Sequence, residues 1–259
     1  MKALTFKVQF LTAQFKDHMS KVTRRTYLIP PPSAVAGFFG AILGLSRKEL
    51  AKLAKDILAG AELKSLGGRI ITLSRVYTFD REAPKLLTLI KKYYENRSEV
   101  WREVQELSPI TESEELYMPK YKFAIASSNE SLVEEGMRRL KEFDFEYEVF
   151  GGNDYHFVHY VGDPKPAKVY SSHEGYGYCP REDFERIDAT SYNVIFNANT
   201  IGSAKSPIVM PVMFLAKVNA EFVQVYGAKI VAKRELTVVD DGESRVFVYE
   251  VDPFLVVQI

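Results

Sequence analysis

A chain of 259 residues, 46% apolar and 26% charged, can bury a substantial core as one large domain or two modest ones. Its 34 basic and 34 acidic side chains cancel to zero net charge, which excludes a protein coated with nucleic acid but leaves room for a local basic patch. The one cysteine, Cys179, excludes an intrachain disulfide and a cysteine-rich zinc site.

Ala3–Leu11 alternates, with Leu4, Phe6, Val8 and Phe10 on one face and Thr5, Lys7 and Gln9 on the other, the pattern of a half-buried strand. This alternation in MKALTFKVQF is not the continuous apolar stretch of a signal peptide, and the apolar run Ala34–Leu45 is too short to span a bilayer, so a soluble, cytoplasmic chain without a membrane partner is expected. A polar, basic stretch over Thr12–Thr26 leads to Pro30–Pro32, which force extended backbone. Ser33 is placed to cap a helix over Ala34–Leu43 that Gly44 ends. Ser46 and Glu49 make a capping-box pattern, opening a second helix that runs to about Gly60. Arg69–Phe79 reads as a strand, Glu82–Leu107 as a charged helical arm and Tyr121–Ser127 as a short strand. Ser131–Lys141 is an amphipathic helix built on Leu132, Val133, Met137 and Leu140. Phe145–Phe150 reads as a strand that Gly151 and Gly152 interrupt, and Tyr155–Val161 resumes the extended pattern.

With 82–119 set aside as an insertion, the order is strand, helix, strand, strand, helix, strand, the order of ferredoxin-like and RRM-type domains. The predicted class is α+β: a ferredoxin-like core over 1–162 with an inserted helical arm, then a β-rich C-terminal region over 163–259. The boundary falls at Gly162–Pro166. Beyond it, Tyr170–Thr190 reads as an irregular loop. Ile208–Ala216, Phe222–Ala232 and a hairpin through Asp240–Gly242 into Arg245–Val251 read as strands.

Lys16, His18, Lys21, Arg24 and Arg25 lie between the first strand and the proline turn. They fit a solvated surface loop, or a phosphate-binding loop running into a helix N-terminus whose free amides favour anions. Gly37, Gly40 and Gly44 recur along the first helix, where each interior glycine costs roughly 1 kcal/mol against alanine. Close packing on a sheet or close approach of a ligand accounts for them. Gly151-Gly152-Asn153-Asp154 is a tight turn on its own physics, and Asp154 would repel phosphate. Tyr27, Tyr77 and Tyr155 are candidates for stacking on unpaired bases, and Arg69 and Arg75 for phosphate contacts or salt bridges. His156 and His159 form an H-x-x-H pair that a strand would point to opposite faces, and His173 beside Glu174 reads as surface. No metal and no cofactor is expected.

The run RRTYLIPPPSAVAGFFGAILGL, Arg24–Leu45, resembles the N-terminal signature of the CRISPR-associated RAMP proteins of the Cas-five family, and VFGGNDYHF, Val149–Phe157, resembles the glycine-asparagine-aspartate segment of its archaeal and thermophilic branch. The resemblance implies a subunit of a type I Cascade complex with an RRM/RAMP core. Such a subunit grips the 5′ handle of the CRISPR RNA, contacts the backbone and large subunits, and meets target DNA only through the assembled complex. It places Arg24, Arg25, Pro32, Ser33 and Gly37 at the handle, with Gly151, Gly152, Asn153 and Asp154 as a second handle-facing turn. The family's inserted arm is a hairpin, whereas the segment 82–119 reads as largely helical. The expected protein is non-catalytic. The alternative is a metal-independent endoribonuclease using His18, with Lys21 and Tyr27 near it in sequence.

Overall fold

Alternating apolar side chains make Lys2–Phe10 the first strand, β1. Leu4, Phe6, Val8 and Phe10 share one face, where the rings of Phe6 and Phe10 lie 6.2 and 5.9 Å from that of Phe38. Ala3 and Thr5 on the opposite face are only 5% and 1% exposed, so the middle of β1 is buried on both faces rather than one. This computed structural model describes residues 1–17, 24–75, 88, 91–93, 110–152, 155–188, 208–214 and 220–252.

After Thr12–Ala13 (β2) come helices Pro32–Leu43 (α1) and Arg47–Leu53 (α2). The capping box at α2 is formed: Glu49 N–H donates to Ser46 Oγ at 3.3 Å, and Ser46 N–H donates to the Glu49 carboxylate at 2.8 Å. Ser46→Ala is expected to lower stability by about 1 kcal/mol. An unchanged urea midpoint would show the cap to be without effect.

The second helix does not reach Gly60. A 3-10 turn at Ala54–Asp56 closes it and Ile57–Ser65 is a strand, β3. Gly68–Arg75 (β4) and Ile110–Tyr117 (β5) pair with each other, and with β2 they form a separate three-stranded sheet ordered β2-β5-β4. The strand expected at Arg69–Phe79 therefore belongs to this small sheet, and its end, with Tyr77, lies outside the described residues. Most of the expected helical arm lies outside them too, while the 110–117 part of the 82–119 segment is strand.

Lys120–Ser127 (β6) leads into Glu130–Glu142 (α3). Here α3 packs against α1 so closely that a Cβ on Gly136 would lie 2.3 Å from the Phe39 ring. Phe145–Phe150 forms no strand, only an isolated bridge from Phe150 to Phe157. The place beside β1 is taken by Val158–Pro180 (β7), a 23-residue strand that runs through Gly162–Pro166. Tyr170–Pro180, expected as loop, is thus strand, and Phe184–Asp188 is β8. Ile208–Phe214 (β9), Ala220–Asp240 (β10), Arg245–Phe247 (β11) and Tyr249–Glu250 (β12) follow.

The main sheet is ordered β12-β3-β6-β1-β7-β11-β10-β8, with β9 also on β10. It is mixed, since β11 runs parallel to β7. Helices α1 and α3 cover the face carrying Phe6 and Phe123. The other face is covered by the β10–β11 hairpin, where Val239, Val246 and Val248 pack on Ala3, Ala124 and Ala126. Beneath this hairpin Lys122 Nζ meets Asp241 Oδ2 at 2.7 Å, with side chains 2% and 0% exposed. Among the described residues no helix is long and apolar enough to cross a membrane.

Candidate nucleic-acid interface

The basic stretch after β2 folds back on itself. Asp17 N–H donates to the Arg25 carbonyl at 2.9 Å and Tyr27 N–H to the Phe15 carbonyl at 2.8 Å. Arg24 is clamped to β5: its N–H donates to the Glu112 carbonyl at 2.9 Å, and its carbonyl accepts from Glu114 N–H at 2.8 Å. Lys16 and Arg25 are exposed and Arg24 half-buried, and none of the three makes an ion pair among the described residues. His18 and Lys21, between these rungs, lie outside the described residues.

Tyr27 does not offer its ring to a base. At 2% exposure it is part of the core. Burial of the Tyr27–Ile29 run leaves backbone groups that need partners. Gln224 of β10, fully buried, supplies them: its Oε1 accepts from the N–H groups of Leu28 and Ile29 at 3.1 and 3.2 Å, and its Nε2 donates to the Ile29 carbonyl at 2.7 Å. This residue positions the entry to α1 from 195 positions away, and the only sequence signal was a lone amide within the apolar run FVQVY.

Helix α1 begins two residues earlier than expected. Pro31 is its N-cap, Pro32 fills the first position, and Ser33 is buried at 5% exposure rather than capping. The N–H groups of Ala34 and Val35 donate to the Pro31 carbonyl at 3.0 and 3.2 Å, so the amides expected to face an anion are engaged. The helix glycines divide by role. A Cβ on Gly40 would lie 2.9 Å from Leu50 Cδ2, which explains it by packing, whereas a Cβ on Gly37 would meet nothing within 4 Å.

The glycine pair of the second motif packs on β2. Gly151 N–H donates to the His156 carbonyl at 2.8 Å, and Gln14 N–H donates to the Gly151 carbonyl at 2.7 Å. Gly152 holds φ +113, with Gln14 O only 1.9 Å from where a Cβ would stand. Asn153 and Asp154 lie outside the described residues. Tyr155 is 49% exposed, its ring 4.2 Å from that of His156. His156 is fully buried, its Nδ1 2.8 Å from Thr12 Oγ1, and burial holds its pKa below the ordinary value against the field of Glu115. His159 is exposed and His173 Nδ1 lies 3.1 Å from the Ala232 carbonyl. Among the described residues no three metal-ligating side chains cluster. Arg69 pairs with Glu114 at 3.1 Å, and Arg75 pairs by its backbone with Ile110.

The two motifs meet. Tyr147 N–H donates to the Ala41 carbonyl at 3.1 Å, drawing the 147–152 segment along α1. Between them lies a cavity of ≈ 290 Å³ lined by Ser33 and Gly37 on one side, Tyr147–Phe150 and Gly152 on the other, with Phe15, Phe38 and Phe123 at its apolar base. Arg47 and Glu148 are its charged lining residues. Arg47, Phe15 and the half-exposed Tyr147 were missed by sequence reasoning, because only the fold brings α2 and the 147–152 segment to the same groove.

A mixed sheet backed by two helices, with both motif segments on one groove, makes this an α+β protein with a pre-formed cleft. The family model described as CRISPR-associated protein (Cas_Cas5) matches residues 3–217, and the chain belongs to that family. It is similar to the crystal structure of a CRISPR protein from Archaeoglobus fulgidus at 12% identity and TM-score 0.45, over 96% of this chain and 99% of that one. A chain of a CRISPR RNA-guided surveillance complex is similar at 12% identity and TM-score 0.43, over 89% and 91%. A chain of a type III-B Cmr-beta complex bound to cognate target RNA and AMPPnP is similar at 15% identity and TM-score 0.36, over 90% and 86%. No curated protein matches the chain.

Proposed function

We propose that this chain is a non-catalytic CRISPR RNA-binding subunit of a type I Cascade complex, gripping the 5′ handle of the guide and docking against the backbone and large subunits. The observation that carries the reading is that Ser33 and Gly37, and Tyr147–Phe150 with Gly152, more than a hundred residues apart, wall a single groove that Arg47 also lines and that Phe15, next in the chain to the exposed Lys16, helps to form. A basic rim supplies phosphate contacts, and an apolar groove with an exposed tyrosine takes an unstacked base.

The core is read as ferredoxin-like. The order β3-β6-β1-β7, with α1 following β1 and α3 following β6, supports that reading. In RRM-type domains bases stack on the helix-free sheet face. Here that face lies under the β10–β11 hairpin, which favours the groove on the helical side as the RNA site.

Handle-RNA binding by Arg24→Ala/Arg25→Ala tests the reading. Loss of two phosphate contacts is expected to lower the salt slope by about 1.4 and weaken binding several-fold at low salt. Unchanged affinity and slope would reject the assignment. In the same assay with EDTA the repeat RNA is expected to stay intact, and cleavage abolished by His18→Ala would replace the binding role with an endoribonuclease one.

A further inference from the structure

We propose that the outer face of α2 and the turn after it carries the RNA backbone onward from the groove, as a sequence-independent phosphate track built from Arg47, Lys48, Lys52 and Lys55. The inference rests on the RNA-binding reading above and adds a segment that no motif marked.

The helix has two chemically distinct sides. Leu50 and Ala54 are buried, and Leu50 presses against the glycine at position 40 of α1. Lys48, Lys52 and Lys55 follow at spacings of four and three, which place them together on the outer side. All three are exposed, as is Arg47, which also lines the groove. The track therefore starts inside the cleft and continues along the surface. Phe15, which also lines the cleft, precedes the exposed Lys16 in the chain.

These four cations stand together on one stretch in a chain of zero net charge. Elsewhere the cations are mostly paired: Lys2 with Glu130, Lys7 with Asp163, Arg139 with Glu135, and Arg234 with Asp183. Arg47, Lys48, Lys52 and Lys55 make no ion pair among the described residues. The two carboxylates in their stretch take their hydrogen bonds from other groups, although the charge of Lys52 acts on Glu49. Glu49 accepts Ser46 Oγ–H and N–H in the capping box, and Asp56 accepts Ser128 Oγ–H at 3.3 Å. Four cations within nine residues, offset in part by Glu49, whose carboxylate feels the charge of Lys52, form a local positive field that a phosphate backbone can enter without breaking an ion pair among the described residues. Lysines supply point charge rather than the planar fork that reads base edges, so the track is expected to be indifferent to sequence.

The test is binding by the full chain with Lys48→Gln/Lys52→Gln/Lys55→Gln, using handle RNA and an oligouridine RNA of the same length. These exposed substitutions should leave the thermal midpoint unaltered. The expected result is a loss of about tenfold in affinity at low salt for both RNAs, with the salt slope lower by about 1–2. Lys120→Gln/Lys141→Gln/Lys168→Gln, the same loss of three exposed charges elsewhere, should have little effect. If the triple variant binds both RNAs like the parent while Arg24→Ala/Arg25→Ala is impaired, the track is overturned and the handle site stands. If the triple variant binds RNA normally but no longer assembles with neighbouring subunits, the face is a protein contact and the inference fails. If the parent binds neither RNA, the track fails together with the reading beneath it.

Discussion

Lys122→Ala is expected to destabilise the protein by about 3–5 kcal/mol, the cost of leaving one partner of a buried ion pair behind. The Lys122 ammonium, 2% exposed, lies 2.7 Å from Asp241 and 3.2 Å from Glu243. Thr5 Oγ1–H donates to the same Asp241 oxygen at 2.7 Å, while the N–H groups of Glu243 and Ser244 donate to the other at 3.0 and 3.1 Å. Burial pushes the Asp241 carboxyl up, but these donors outweigh it and hold its pKa well below the usual range. A depressed carboxyl contributes stability that is present above its unfolded pKa of about 3.9 and is lost as pH falls through the folded value. The penalty of Lys122→Ala should therefore be full near neutral pH and shrink as the solution is taken below about pH 4. Urea unfolding at both pH values checks this, with a lowered midpoint and unchanged slope expected at neutrality. A neutral-pH loss under 1 kcal/mol would mean that the hairpin does not bury the pair. Lys122→Met/Asp241→Leu should recover only part of the loss: it removes the stranded charge, but leaves the Thr5 hydroxyl and the Glu243 and Ser244 N–H groups without their acceptor.

Local signals were readable where they were self-contained. The alternation of β1, the amphipathic stripe of α3 and the Ser46–Glu49 box each appear within two residues of their expected bounds. The misses have tertiary causes. Ile57–Ser65 is rich in Ala, Leu, Glu and Lys, good helix formers, yet it is a strand because it pairs with β6 along its length. Gly60 within it leaves room for the Phe247 carbonyl, which would stand 2.0 Å from a Cβ. Gly175, Gly177 and Pro180 suggested a loop, but β7 is held between β1 and β10, and Gly175 lies under the Phe247 ring. At the candidate site the same division holds. The motif residues were visible one by one, whereas Arg47, Tyr147 and Gln224 became relevant only when distant segments were brought together. Tyr27 shows the reverse: an aromatic beside arginines suggested stacking, and the buried turn around Gln224 claims it for the core.

Gly152→Ala is expected to damage both the fold near the groove and the binding of RNA. At φ +113 the backbone sits where L side chains rarely go, and the new Cβ would stand 1.9 Å from the Gln14 carbonyl oxygen. That carbonyl has little freedom to retreat. Gln14 N–H is bonded to Gly151, and its side-chain amide donates to Ser113 Oγ at 2.5 Å and to the Glu114 carbonyl at 3.1 Å. The 147–152 segment must therefore move away from β2, at a cost of about 2–4 kcal/mol from backbone strain and overpacking combined. Because this segment walls the groove, handle-RNA affinity should fall by at least about tenfold, one such wall contact to a stacked base being worth roughly 1–3 kcal/mol. Gly37→Ala separates the site from the fold. Its methyl meets no protein atom within 4 Å and projects from a residue that lines the cavity, so helix propensity should raise stability by up to about 1 kcal/mol while RNA binding weakens. Weak binding in both variants, with stability moving in opposite directions, would locate the RNA in the groove. Normal binding by Gly37→Ala together with loss in Gly152→Ala would place the RNA on the outer surface of the glycine turn, away from α1.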